Sequence, residues 1–330
     1  MTVRLRQLPP AAGARIRGLG STQPTRVVTN DDIAATGVQT TDSWIRERVG
    51  IVARRFAGPD ESLVDMAVDA GSKAVADAGL SPADLDAVLV ATCTMPSPIP
   101  NAAAQVAHRI GVTAAPAFDL NAACAGFCYG LGSAADMIRA GSARHVLVIG
   151  AEKLTDWVDP TDRSTYIIFA DGAGAAVVGV AAEGEEAGVG PVVAGSAGDL
   201  VDTLVIADRE SFIVQEGQAV FRWATTKIAP IALRAVELAG LTPGDIDVLV
   251  PHQANLRIVE AIAKRIRAAG GRPDLVVADD IVRSGNTSSA SIPLALDHMR
   301  AEGRVRSGDV ALLVGFGAGL SYAGQVVVLP

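Results

Sequence analysis

The sequence predicts an α/β protein made of two related halves, and two observations predict it. The first is an internal repeat. Residues 78–90 read AGLSPADLDAVLV and residues 239–250 read AGLTPGDIDVLV, in register from Ala78/Ala239 to Asp86/Asp247. The second is the alternation of apolar, β-branched runs with stretches of helical spacing along the chain. In each copy a helix-like stretch, Met66–Asp77 or Lys227–Leu238, runs into a glycine that ends it. A Ser/Thr-Pro turn and a β-branched run follow. Matching helix, turn and strand around the repeat favour duplication over chance.

Taken in order, Ala117–Leu120 reads as a strand leading into a helix over Cys124–Ala140, which Gly141 ends. His145–Gly150 and Ala173–Val180 read as strands. In the second half Leu275–Ala278, Val310–Gly315 and Gln325–Leu329 read as strands, and Ser291–Ala301 as a helix. Strands this uniformly apolar need cover on both faces, so helices must flank the sheets. The expected halves are 1–183, carrying Cys124, and 184–330, carrying His252 and Asn286, joined near the Gly-, Ala- and Glu-rich stretch Gly184–Gly195.

A composition of 49% hydrophobic and 19% charged residues is that of a folded globular protein. The N-terminal stretch Met1–Pro10 has two arginines but no apolar core behind them, which argues against a secretory signal. The most apolar runs, Ala87–Ala107 and Ser164–Ala182, are interrupted by prolines or by Asp171 and glycines, so no membrane span is expected. Three cysteines make neither a disulfide framework nor a zinc-finger spacing, which suits a reducing cytoplasm. A net charge of −8 argues against bulk nucleic-acid binding.

Cys124 follows a strand and small residues and stands where a helix begins. That placement should expose its sulfur at a helix N-terminus and favour the thiolate. Cys93 and Cys128 fit the ordinary account of a cysteine as a small buried hydrophobe. His252 follows the strand Val248–Pro251, the repeat partner of the strand that ends before Cys93. The C-terminal end of such a strand is where α/β proteins place functional side chains. The basic helix after it carries Arg257 and Lys264 on one face, with Arg265 beside them: a solvated face, or a seat for an acidic partner. Asn286 lies in a polar Gly-Asn turn, for which local sequence alone asks no more than a turn or cap role. Gly315–Gly319 and Gly172–Gly174 resemble dinucleotide fingerprints but run into strands, which leaves no helix N-terminus for a pyrophosphate. Gly315–Gly319 reads instead as a loop whose backbone N–H groups approach a ligand oxygen. No HExxH, Walker loop or Gly-x-Ser-x-Gly is present, so no metal site or serine hydrolysis is expected.

With these residues in view the chain resembles the β-ketoacyl-acyl-carrier-protein synthase III family over nearly its whole length. The motifs that carry the resemblance are Asp42-Ser-Trp-Ile-Arg-Glu-Arg-Val-Gly-Ile, Ala122-Ala-Cys-Ala-Gly-Phe, Asp171-Gly-Ala-Gly-Ala, Pro251-His-Gln-Ala-Asn-Leu-Arg-Ile, Gly285-Asn-Thr-Ser and Gly315-Phe-Gly-Ala-Gly. The resemblance implies the thiolase fold, two duplicated α/β halves in a five-layered αβαβα body, and a homodimer. It implies Cys124 as the acylated nucleophile and His252 and Asn286 as donors to a thioester enolate. The backbone N–H groups of Cys124 and Ala318 then form the oxyanion hole. Trp44 and Arg163 sandwich the coenzyme A adenine, and Arg48 meets its phosphates. Arg222, Arg257 and Lys264 or Arg265 receive acyl carrier protein. The substrates are acyl-CoA and malonyl-acyl carrier protein, with no further cofactor. Ile99 stands where many members have Phe at the base of the acyl pocket, contributed across the dimer, and the stretch Asp199–Gln215 is shorter than in close relatives. Two alternatives stay open: a priming ketosynthase or acyltransferase of a polyketide pathway, and a catalytically silent acyl-CoA-binding protein on the same fold.

Overall fold

The computed structural model describes residues 13–330; the stretch Met1–Pro10 read above for a signal lies outside them. Five strands of the first half, β1 (Ala14–Thr22), β2 (Ala87–Ala91), β3 (Ala117–Leu120), β4 (His145–Lys153) and β5 (Asp171–Val180), form one sheet in the order β1-β5-β4-β2-β3. Five of the second, β6 (Val193–Gly195), β7 (Val248–Pro251), β8 (Val276–Val277), β9 (Val310–Phe316) and β10 (Tyr322–Val328), form another in the order β6-β10-β9-β7-β8. The two orders correspond strand for strand. So do the directions: β2 runs parallel to β3 and β4, as β7 does to β8 and β9, and the remaining pairs are antiparallel.

Alternate residues of the strands feed different cores. Leu89 and Val148 of the first sheet, and Val250 and Leu313 of the second, face a central layer of two helices, α3 (Gly126–Arg139) and α6 (Ser291–Ala301). Val88, Val90 and Ile149 face outward onto α1 (Leu63–Asp77) and α2 (Ala102–Ile110). Leu249, Leu312 and Val314 face α4 (Gly217–Leu238) and α5 (Leu256–Ala268). The result is five layers, αβαβα. It also accounts for the unbroken apolar runs, since each buried Leu or Val stabilises by roughly 1.5–3 kcal/mol on whichever face it lies.

The repeated residues do repeated work. Ser81 and Thr242 each start a short 3-10 turn, and the Asp84 and Asp245 carboxylates accept from their N–H and hydroxyl groups at 2.6–2.8 Å. Asp86 and Asp247 then pin the neighbouring parallel strand. Asp86 accepts from the His145 N–H at 3.0 Å and Asp247 from the Val310 N–H at 2.9 Å. Two boundaries differ from the sequence reading. Helix α4 begins at Gly217, ten residues before Lys227, and runs through Pro230, which removes one backbone donor without ending it. Strand β4 continues three residues past Gly150 to Lys153, which brings Glu152 into the sheet. Among the described residues no helix is long and apolar enough to cross a membrane.

Candidate active site

Cys124 sits in a 3-10 turn, Ala123–Ala125, between β3 and α3. The preceding Ala123 takes a left-handed φ of +45°, and Gly317 closes over the cysteine from the other half. A Cβ on Gly317 would lie 2.7 Å from the Cys124 backbone nitrogen and 3.0 Å from its sulfur, so only glycine fits there. This close packing corrects the expectation of an exposed thiolate. Cys124 is buried, 6% exposed. Burial pushes its thiol up to about 12, with the Glu152 charge adding to the shift and a Ser288 hydrogen bond opposing it. Burial is the largest cause, and the resting group is a thiol. The N–H groups of Cys124 and Ala318 both lie in the first turn of 3-10 helices, where no helical acceptor reaches them.

His252 continues β7, its N–H donating to the Val314 carbonyl at 2.9 Å. The ring is buried and stands edge-on to Phe316, centroids 5.2 Å apart. Its Nδ1 lies 2.7 Å from the Ser291 hydroxyl oxygen, which also accepts from the Gln253 N–H at 3.3 Å. When the Ser291 hydroxyl donates to Nδ1, the ring proton is on Nε2, the tautomer that keeps a donor on the other side of the ring. Burial lowers the imidazolium pKa to about 3, so the ring is neutral at physiological pH. The basic helix begins at Leu256, capped by Asn255, four residues later than a start at His252.

Asn286 is fixed on both sides of its backbone. Its N–H donates to the Ile168 carbonyl and its carbonyl accepts from the Ala170 N–H, both at 2.9 Å. The side-chain oxygen accepts from the Ser288 N–H at 2.9 Å, which identifies the oxygen and leaves the amide nitrogen as the free donor. The turn role read from local sequence is thus present, with a spare donor besides. Gly285 before it has φ +69°, and a Cβ there would stand 2.9 Å from those of Ala170 and Arg54.

Cys124, His252 and Asn286 line one open cavity of about 850 Å³. Its outer wall includes Trp44, Arg48, Arg222 and Arg257. Arg257 covers the Phe221 ring at 5.3 Å, whereas Lys264 and Arg265 lie further along α5, exposed and outside the cavity wall. Trp44 and Arg163 are together, but with the guanidinium 4.6 Å from the indole centroid no gap is open for an adenine. Arg48 stands over the same indole at 5.6 Å. A second cavity of about 490 Å³ that also touches Cys124 is lined by Cys93, Met95, Leu204, Ile213 and Ala318. Ile99 is not in its wall; it is 80% exposed on the surface of the single chain.

Sequence reasoning missed four residues of the site: Ser291, Phe316, Ser288 and Glu152. The only signal in the chain is an acidic residue directly after six apolar or small ones, at Glu152. The others are ordinary serines and a strand-end aromatic until the halves come together. Among the described residues no cluster of three His, Cys, Asp or Glu side chains is arranged to hold a metal ion.

The family model described as 3-oxoacyl-[acyl-carrier-protein (ACP)] synthase III matches residues 118–198, and its C-terminal counterpart matches residues 236–329. Beta-ketoacyl-[acyl-carrier-protein] synthase III 4 of Streptomyces coelicolor is 52% identical over 318 residues, covering 96% of this chain and 99% of its own. The mycobacterial beta-ketoacyl-[acyl-carrier-protein] synthase III of Mycobacterium tuberculosis is 48% identical over 338 residues, 98% and 99% of the two chains. Among solved structures, a priming β-ketosynthase from a polyketide biosynthetic pathway superposes with TM-score 0.93 at 43% identity over 98% of both chains. The 3-oxoacyl-[acyl-carrier-protein] synthase III of Aquifex aeolicus superposes with 0.90 at 38% identity, over 96% of this chain and 100% of that one.

Proposed function

The chain belongs to the 3-oxoacyl-[acyl-carrier-protein] synthase III family, and from that premise we propose that Cys124, His252 and Asn286 carry out a two-stage condensation. It is an acyltransferase-type condensing enzyme with the thiolase fold. In the first stage Cys124 attacks an acyl-CoA thioester, the Cys124 and Ala318 N–H groups hold the oxyanion, and coenzyme A leaves. In the second, malonyl-acyl carrier protein loses CO2. His252 Nε2 and the Asn286 amide donate to the developing enolate oxygen, and the enolate carbon attacks the acyl-Cys124 to give 3-oxoacyl-acyl carrier protein. The CoA thioester is a substrate, and the chemistry needs no metal or further cofactor.

One observation carries this reading. The inner atoms of His252 and Asn286 are occupied by Ser291 and Ser288, so each side chain keeps one donor for the cavity that Cys124 lines. Incubation with an acyl-CoA should add one acyl mass to the protein, and malonyl-acyl carrier protein should then discharge it as 3-oxoacyl product. An acyl-enzyme that malonyl-carrier leaves untouched would make this a plain acyltransferase. The polyketide priming reading uses the same chemistry and is favoured by the priming ketosynthase neighbour. A panel of starters with fatty-acid and polyketide carriers separates the two by relative rate.

For coenzyme A, Trp44 with Arg163 and Arg48 is the proposed seat of the nucleotide, the Arg163 guanidinium swinging off the indole as adenine enters. For the carrier, Arg222 and Arg257 at the cavity mouth are the proposed contacts, with Lys264 and Arg265 further out. Arg257→Glu should raise KM for malonyl-acyl carrier protein roughly tenfold while sparing acylation by acyl-CoA. Added salt should weaken the carrier step more than the CoA step, because exposed charges are screened over about 10 Å at 0.1 M. Unchanged carrier kinetics in this variant would return α5 to a solvated face.

A homodimer is the proposed assembly, in a reducing cytoplasm that suits three unpaired cysteines. Strand β3 is an edge of its sheet with Phe118 42% exposed, and Ile99 nearby is 80% exposed. An uncovered apolar edge of this kind is a surface for a second copy, whose acyl cavity Ile99 would then enter. Sedimentation should give a mass near twice 33.7 kDa, and Phe118→Lys should halve it. A wild-type monomer at micromolar concentration rules the assembly out.

A further inference from the structure

The turn that carries Asn286 is tied at its back to the first half of the chain by one buried carboxylate. Glu152, fully buried, reaches it from the end of β4. One carboxylate oxygen accepts from the hydroxyls of Ser288 at 3.0 Å and Ser289 at 2.9 Å, and from the Cys93 thiol at 3.4 Å. The other accepts from the Cys93 N–H (3.1 Å) and from the hydroxyls of Thr92 (3.1 Å) and Thr94 (2.6 Å). The strand and the turn are in close contact here. A Cβ on Gly150 would lie 2.3 Å from the Ser289 carbonyl oxygen, so only glycine lets them approach. The carboxylate therefore bridges the two halves behind Asn286.

What it holds is a residue in an uncommon backbone conformation. Ser288 has a left-handed φ of +49°, which a residue other than glycine keeps only where its surroundings fix it. Two bonds fix this one. Its hydroxyl is on Glu152, and its N–H donates to the Asn286 side-chain oxygen at 2.9 Å. Among the described residues that N–H is the only partner of the Asn286 amide. The direction of the amide therefore depends on the direction of the Ser288 N–H. Ser289 has a second holdfast, since its hydroxyl also lies 2.8 Å from the Ala91 carbonyl. The Ser288 hydroxyl has no carbonyl to fall back on among the described residues, and Glu152 alone anchors it.

We propose that Glu152 is a positioning residue for condensation: through Ser288 it sets the direction of the Asn286 amide. It touches no substrate itself. Without the carboxylate Ser288 leaves its left-handed conformation, its N–H turns away, and the Asn286 amide is free to rotate about its side chain. The amide N–H is then no longer preorganised toward the enolate oxygen, and the donor loses its value in the transition state. Acylation of Cys124 does not use that donor, so the effect of Glu152 belongs to the second stage alone. The inference rests on the proposed role of Asn286 as an enolate donor.

Measuring the two stages apart, by single turnover, tests it. In Glu152→Ala, acylation by acyl-CoA should not slow by more than about threefold, while discharge of the acyl-enzyme by malonyl-acyl carrier protein slows by at least about tenfold. The loss should disappear in combination. In an Asn286→Ala background the same change should slow discharge by less than about twofold, because the donor it aims is already gone. A carboxylate that only held the halves together would slow both stages, or add its full cost to that of Asn286→Ala. Either result overturns the proposal, as does wild-type discharge in Glu152→Ala. If Glu152→Ala does not fold, Ser288→Ala takes its place, with the same split and the same cycle expected. Asn286→Ala alone separates the proposal from its premise: wild-type discharge in that variant sinks the enolate role of Asn286 itself, whatever the Glu152 variants do.

Discussion

Cys124→Ala leaves the enzyme without a covalent acyl adduct, and its overall condensation rate drops by at least about a thousandfold. The expectation follows from the surroundings of the other two thiols. Cys128 is fully buried one turn further along the chain, and burial pushes its pKa up to about 12. Cys93 is partly exposed in the second cavity, but burial of its sulfur and the adjacent Glu152 charge raise its pKa well above the ordinary value. It also lacks the two first-turn N–H groups that flank Cys124. Intact-protein mass spectrometry after acyl-CoA exposure checks this, and an acyl mass retained by the mutant would move the nucleophile to Cys93.

His252→Ala and Asn286→Ala are expected to split the reaction. Both should still take up an acyl group, within about threefold of wild type, since neither side chain is needed to hold the first oxyanion. Condensation should fall by about a hundred- to a thousand-fold in each, the usual cost of losing one preorganised donor. The double mutant should lose less than the product of the two, because both donors serve one oxygen. Replacing Asn286 by Asp should hurt as much as Ala, since a carboxylate repels the enolate it must face. The pH profile supplies a further check. A histidine whose pKa is lowered to about 3 becomes charged only when the pH falls that far. Condensation should therefore show no step from this residue between about pH 5 and 8. A step near 6.5 that disappears in His252→Ala would mean that the ring is protonated in the working enzyme.

The parts of this molecule legible in the chain are those encoded by local pattern. The repeat around Asp86 and Asp247 was visible because each aspartate makes the same local bond to the strand beside it. The bounds of Ala117–Leu120 and Ser291–Ala301 are legible to the residue because a polar or small turn bounds each. Local pattern misled where tertiary cover decides the outcome. The helix start after β3 says thiolate, but Gly317 arrives from the other half and packs against the sulfur. The resemblance pairs Trp44 with Arg163, yet only the folded chain reveals that they close on each other. The partners of His252 and Asn286 are serines of a type found everywhere on protein surfaces. What singles out Ser288 and Ser291 is the buried carboxylate and imidazole they meet, far away in sequence.

If the proposed function holds, the wide cavity that leads to Cys124 sets an order of traffic. On the proposed reading, acyl-CoA and malonyl-carrier would both reach Cys124 past Trp44 and Arg257, with the delivered acyl chain in the second cavity. A doorway shared in this way would not admit the second visitor before the first has gone. Free coenzyme A must therefore clear the entrance before the carrier's arm can come in, and a surplus of either substrate blocks the turn of the other. The rate of such an enzyme is greatest at a balanced ratio of its two substrates, so the cell's own supply of starter relative to extender becomes a throttle on how often a new chain is begun.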